Sequence, residues 1–124
     1  MFSLALRATD MLVALVSNAT RAGMGLPILK TETKYLREFV KSYIGELRFT
    51  PDVEREMRRH HISFIGVYAA LRSGRVVYSD KEDAHVAQWV VEGQTEDDIP
   101  LRLWLEVECN LYRVCIVGII KVVQ

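Results

Sequence analysis

Cysteine is scarce in this 124-residue chain: there are two, Cys109 and Cys115, both near the C-terminus. Without a second pair at ligand spacing they build no zinc framework. On a single strand, six residues apart, they would also lie too far from each other for a disulfide. They read as buried thiols in a reducing compartment. Net charge is missing too, with 16 Lys and Arg against 16 Asp and Glu. The N-terminus has no long apolar run. Met11–Val16 is the uninterrupted apolar stretch of the N-terminus, far too short to span a bilayer. In "MFSLALRATDMLVALV" the charges Arg7 and Asp10 break the pattern a signal peptide needs. A soluble, cytoplasmic protein is expected, with binding of this segment to a membrane surface left open. No phosphate-binding glycine loop, nucleophile elbow, internal repeat or low-complexity segment occurs.

What is present is a globular composition, 50% hydrophobic and 26% charged, long enough for one domain with a real core. The charge is split along the chain. Residues 1–78 carry 12 basic and 7 acidic side chains, residues 79–124 carry 4 and 9. A basic half can hold phosphate, or the dipole can serve solubility or self-association.

Helical periodicity comes first. Leu4, Ala8, Met11, Leu12, Leu15 and Val16 form a stripe over 3–20. Gly23, Gly25 and Pro27 then mark a linker over 21–31. A second helix is expected over 32–47, capped by Thr31, with Tyr35, Leu36, Phe39, Val40 and Tyr43 on one face and Lys34, Arg37, Glu38 and Lys41 on the other. Thr50 and Pro51 open a short third helix, and Ser63 opens a fourth that runs to Gly74, with Ile62 and Val67 spaced as a hydrophobic staple. The period then changes. "RVVYS", a strand at about 84–92, "LRLWLEVEC" and the long apolar "YRVCIVGIIKVV" read as four strands, the last one central because both its faces are apolar. "QTEDDIP" is an acidic hairpin connection and Asn110 marks a tight turn. Helices followed by strands predict an α+β fold with helices on one face of a mainly antiparallel four-stranded sheet. The chain divides into an N-terminal helical extension, 1–48, and a helix–helix–four-strand domain, 49–124.

The order of pieces from 51 to 122 carries a resemblance: a helix with a basic, His-containing end, "HISF", a second helix, "SGRVVY", "VVEGQTEDDIPLRLWLEVE", and a long apolar strand. It resembles the bacterial domain of unknown function family 4258, which groups with the RelE- and BrnT-like toxins, small ribonucleases. The likeness covers about 70 of the 124 residues. It implies RelE/barnase-like helix-on-sheet packing, action on RNA, and a cognate antitoxin or other small protein as partner. The family pattern sets a His near the start of the third helix and Arg further along, then an Arg and a Gly before the Ile-Ser step. Aligned on Ile62 and Ser63, this chain has Asp52, Glu56, His60 and His61 there, and its basic residues move to Arg55, Arg58 and Arg59. The site is then either rebuilt on His60 or His61, or degenerate.

"MRRHHISF" (57–64) is the chemical centre of this reading. A metal-independent ribonuclease needs proton-transfer groups near neutral pKa and cations for the phosphorane. The catalytic candidates are His60, His61 and Arg59. Arg55, Arg58, Arg72 and Arg75 are the candidates for phosphate binding. A bland account competes: Asp52 and Glu54 open a helix and Arg58, Arg59 and His60 close it, as the helix dipole prefers. His85 reads as a strand residue before it reads as a catalyst, and Trp104 as packing or interface before base stacking. Glu106 and Glu108 resemble the acidic half of a metal-dependent nuclease site, but the lysine such sites place nearby is absent and Asp80, Glu82 and Asp83 are distant, so the sequence speaks against a magnesium site. No cofactor is expected. The function expected is a toxin-related ribonuclease. The alternative is a non-catalytic interaction module, immunity-like or antitoxin-like, which neutrality favours because RNA-directed toxins are usually basic. A homodimer stays open.

Overall fold

The computed structural model describes residues 28–81 and 86–122. The helix expected over 3–20, most of the linker, and Glu82, Asp83 and His85 lie outside the described residues. In chain order there follow α1 (Lys30–Ser42), a 3-10 turn (Ile44–Glu46), β1 (Arg48–Phe49), α2 (Pro51–Arg59) and α3 (Phe64–Ser73). Then come β2 (Arg75–Lys81), β3 (Val86–Gln94), β4 (Pro100–Glu108), a second 3-10 turn (Cys109–Leu111) and β5 (Arg113–Lys121).

The fold is α+β, but the sheet has five strands and is mixed. Its order is β1-β5-β4-β3-β2. The additional strand is β1, two residues that pair parallel to β5 through Arg48 with Cys115 and Phe49 with Ile116. Two residues are too few to show an alternation, so only the partner strand reveals it. The central strand is β4, not β5. β5 is bordered on its outer side by β1 over those two residues alone. Its unbroken apolar run has a different cause. A register shift pairs Trp104 with Gly118 and Leu105 with Ile116, which leaves Val117 as a bulge. The bulge brings Ile116 and Ile119, three residues apart, into the same buried cluster.

Local chemistry explains the helix ends. Thr50 Oγ1 accepts the Val53 N–H at 3.2 Å and Ser63 Oγ accepts the Gly66 N–H at 3.0 Å, so both expected caps form. α1 departs from expectation: it begins at Lys30 behind Leu29, with no side-chain cap, and ends at Ser42. Thr33 does not stay within its helix; its Oγ1 accepts the Val76 N–H at 2.9 Å and ties α1 to β2.

The three described helices pack on one face of the sheet. Leu36 and Phe39 of α1, Val53 and Met57 of α2, and Val67, Ala70 and Leu71 of α3 meet Leu101, Leu103, Leu105 and Val107 of β4 in one cluster. Each of these valine, leucine, methionine and phenylalanine side chains contributes roughly 1.5–3 kcal/mol of burial free energy. The described end of the N-terminal extension is therefore built into the same core as α2, α3 and the sheet. α3 lies very close to β3: a Cβ built at Gly93 would sit 1.9 Å from the Ala70 carbonyl oxygen. No described helix is long and apolar enough to cross a membrane.

Candidate functional site

The sequence candidates fall in three places. The first is the exposed end of α2. Here the basic side chains meet carboxylates of their own helix: Arg55 pairs with Asp52, Arg59 Nη1 lies 3.7 Å from Glu56 Oε1, and His60 Nε2 lies 3.2 Å from Glu56 Oε2. Glu56 thus bridges Arg59 and His60. Arg58 is exposed on the same turn.

The backbone explains why two histidines stand together. His60 is the last half-helical residue of α2, and His61 follows in the left-handed region at φ 56°. The Ile62 N–H reaches the Met57 carbonyl at 2.8 Å and the His61 N–H reaches the Arg58 carbonyl at 3.3 Å. This is a Schellman closure, with His61 at the position glycine usually takes. Ile62 then drops into the core beside Met57.

The reversal points His61 elsewhere. It borders a recess of about 40 Å³ with Ser63, Gly66, Thr95, Glu96 and Lys121. Arg75 belongs to a third place, a cleft of about 510 Å³ where β2 and β3 meet the end of α3. Ser73 Oγ accepts the Gln94 N–H there at 3.0 Å, and Arg75 stands opposite Glu92 in the β2–β3 register. No α2 residue lines that cleft. Arg72 is exposed at the end of α3, and its carbonyl accepts a hydrogen bond from the Arg37 guanidinium. The candidates therefore do not share one cavity.

The Arg37 contact leads to a cationic row that the sequence reading passed over as the polar face of an ordinary helix. Lys30, Lys34, Arg37 and Lys41 are all exposed on α1 and line one shallow groove of about 410 Å³. At 100° per residue they fall within about 60° of one another. They point away from Leu36 and Phe39, which are fully buried. Among the described residues no carboxylate oxygen lies within 4.0 Å of any of the four, although Glu38 borders the groove. The signal was readable as the spacing i, i+4, i+7, i+11. In sequence alone that spacing does not stand out, because charge on the far side of an amphipathic helix is what solvent alone demands.

The remaining reactive groups form no site. Cys115 is half-buried opposite Glu106; burial first, and that carboxylate second, push its thiol pKa above the ordinary value. Among the described residues no three His, Cys, Asp or Glu side chains are grouped to hold a metal. Comparison with family models, with curated proteins and with solved structures finds no match to this chain.

Proposed function

We propose that this chain is a nucleic-acid-binding domain that acts on RNA, and that the row Lys30, Lys34, Arg37 and Lys41 is its contact surface. The observation that carries the reading is the contrast between two helices. On α2 Arg55 and Arg59, and the His60 ring, lie against carboxylates of the same helix, and Arg58 is the exposed cation beside them. On α1 four cations stand in a line about 16 Å long with no such match. Cations not neutralised by a carboxylate of the fold are the ones that displace counterions from a phosphate chain, and this electrostatic part of the affinity needs no base reading. The helix-on-sheet build is compatible with the RelE- and BrnT-like resemblance, which makes RNA the polymer to test.

A second reading rests on the His60–Glu56 pair. A histidine held at 3.2 Å by a carboxylate, with Arg59 beside the same carboxylate, is an arrangement that can move a proton next to a cation. It supports metal-independent cleavage at the end of α2.

One experiment addresses both. A labelled single-stranded RNA is titrated with the chain at several salt concentrations, and total RNA is incubated with it in EDTA. Lys34→Glu/Arg37→Glu is expected to weaken binding at least tenfold and to flatten the salt dependence. Arg55→Glu/Arg59→Glu is expected to change binding less than threefold. Cleavage that His60→Ala abolishes establishes the ribonuclease. Salt-insensitive binding, or none, overturns the RNA reading and leaves the protein-interaction module with an antitoxin-like partner.

A further inference from the structure

The sheet has a second face, and the side chains on it are shielded. Val77, Val90 and Trp104 form a cluster separate from the main core, with Tyr78 and Val117 packed against it. Val90 is 0% exposed, Trp104 2%, Arg102 4% and Gln88 6%. Arg102 Nη2 reaches Glu92 Oε2 at 3.1 Å on the same face. The Trp104 ring lies on Gly118, where a Cβ would come within 3.2 Å of it. Trp104 Nε1 is buried without a hydrogen-bond partner.

Neighbours in a sheet cover one another's flanks but not the tops of their side chains. A tryptophan, a valine and an arginine at 4% exposure or less therefore need a layer above them. The described helices do not supply it: the buried hydrophobic residues of α1, α2 and α3 belong to the cluster on the opposite face, and α2 meets Trp104 only across a cavity of about 260 Å³ that Asp52, Val53 and Glu56 share with Val117 and Gly118. An antiparallel sheet whose outer face met water would show polar, accessible residues there.

We infer that this second face is a docking surface, and that its occupant is the chain's own N-terminal segment, residues 3–20. Three observations select that occupant over a second copy. The described chain starts at the right place. Ile28 lines the cleft at the end of β2 and β3, which runs from Ser73 of α3 to Val77 of the second face, and the Leu29 N–H bonds the Val76 carbonyl at 2.8 Å, so the described chain begins at the β2 edge, within reach of this face. The lengths agree. An 18-residue helix measures about 27 Å, and five strands span about 19 Å; residues 21–27 can bridge up to about 23 Å. The pattern agrees as well: Leu4, Ala8, Met11, Leu12 and Leu15 offer one apolar stripe to a cluster of valines and a tryptophan. The molecule then has three layers, with the sheet in the middle.

Nuclear magnetic resonance on the full chain tests this. Nuclear Overhauser contacts are expected between the Trp104 indole protons and methyl groups of Leu12, Leu15 or Val16. With 5-fluorotryptophan the chain gives two resonances, Trp89 and Trp104. The Trp104 signal is expected to show no solvent isotope shift, to gain one in Leu12→Asp/Leu15→Asp, and to keep its position in Ser17→Asp, on the other side of the segment. Trp89, in the main core, reports whether the variant stays folded. Absence of the Overhauser contacts in the unmodified chain overturns the inference whether or not the aspartate variant folds. Trp104 shielding that is lost on dilution overturns it too, and assigns the face to a second copy.

Discussion

His61 is the residue whose two roles can be separated by substitution. It occupies the left-handed region, φ 56°, at the turn that closes α2. A side chain with a Cβ is strained there by about 1 kcal/mol, and histidine is one of the few residues that tolerate it. If the position is purely a helix terminus, glycine serves it better. His61→Gly is expected to raise stability by up to about 0.5 kcal/mol, the relieved strain less the opposing loss of unfolded-state restriction. Equilibrium unfolding in urea measures it. His60 differs: its backbone is ordinary and its ring holds Glu56. The two adjacent histidines thus answer to different demands, one to backbone geometry and one to charge.

At the scale of elements, α2 and α3 are specified by their own sequences and α1 is not. Thr50, Pro51, Asp52 and Glu54 start α2 where the free N–H groups and the dipole want them, and Arg58 and Arg59 finish it. Thr50→Ala and Ser63→Ala are each expected to cost about 1 kcal/mol, read as lower urea midpoints with unchanged slopes. α1 lacks a side-chain cap and carries Lys30 at its positive end. Its anchorage comes from elsewhere. Thr33 bonds β2, and the ring of Tyr112, beyond the β4–β5 turn, stacks on Tyr35 and Tyr43 at centroid separations of 5.3 and 4.5 Å. Phe39 stacks with Tyr43 from inside the core. This anchoring holds the cationic row outward while the opposite side of the helix is locked.

For the whole molecule, the consequence is that α1 and the sheet unfold together. Phe39 is fully buried in the cluster that also contains Leu103, Ile116 and Met57. Phe39→Ala is expected to destabilise the chain by about 3–5 kcal/mol. Calorimetry is expected to show one transition at a lower temperature, not the separate loss of a helical extension. Two transitions would instead divide the chain near residue 48. Charge is organised on the same scale. The chain is neutral overall, yet α1 offers an unmatched basic row, and the sequence from 79 to 124 is acidic. Neutrality of the total therefore leaves room for a local polyanion-binding surface.

The sequence by itself determined the fold class, the caps of α2 and α3, and which residues of β4 face the helices. These follow from local rules: side-chain oxygens reaching N–H groups three residues on, and the two-residue alternation of a strand. Leu101, Leu103, Leu105 and Val107 are accordingly buried where the alternation put them. The tertiary structure decided what no local rule carries. β1 exists only because β5 offers it a partner, and β4 is central because pairing, not hydrophobicity, sets strand order. Arg102 and Trp104, on the polar side of that same alternation, are buried all the same, which no local pattern announces. The candidate site shows the same division. Sequence spacing put Arg55 and Arg59 on one helix face, but whether a cation is free or matched depends on where each side chain reaches. Only the folded chain shows that Arg55 and Arg59 of α2 lie against carboxylates of their own helix, while the row on α1 stands without such pairs among the described residues.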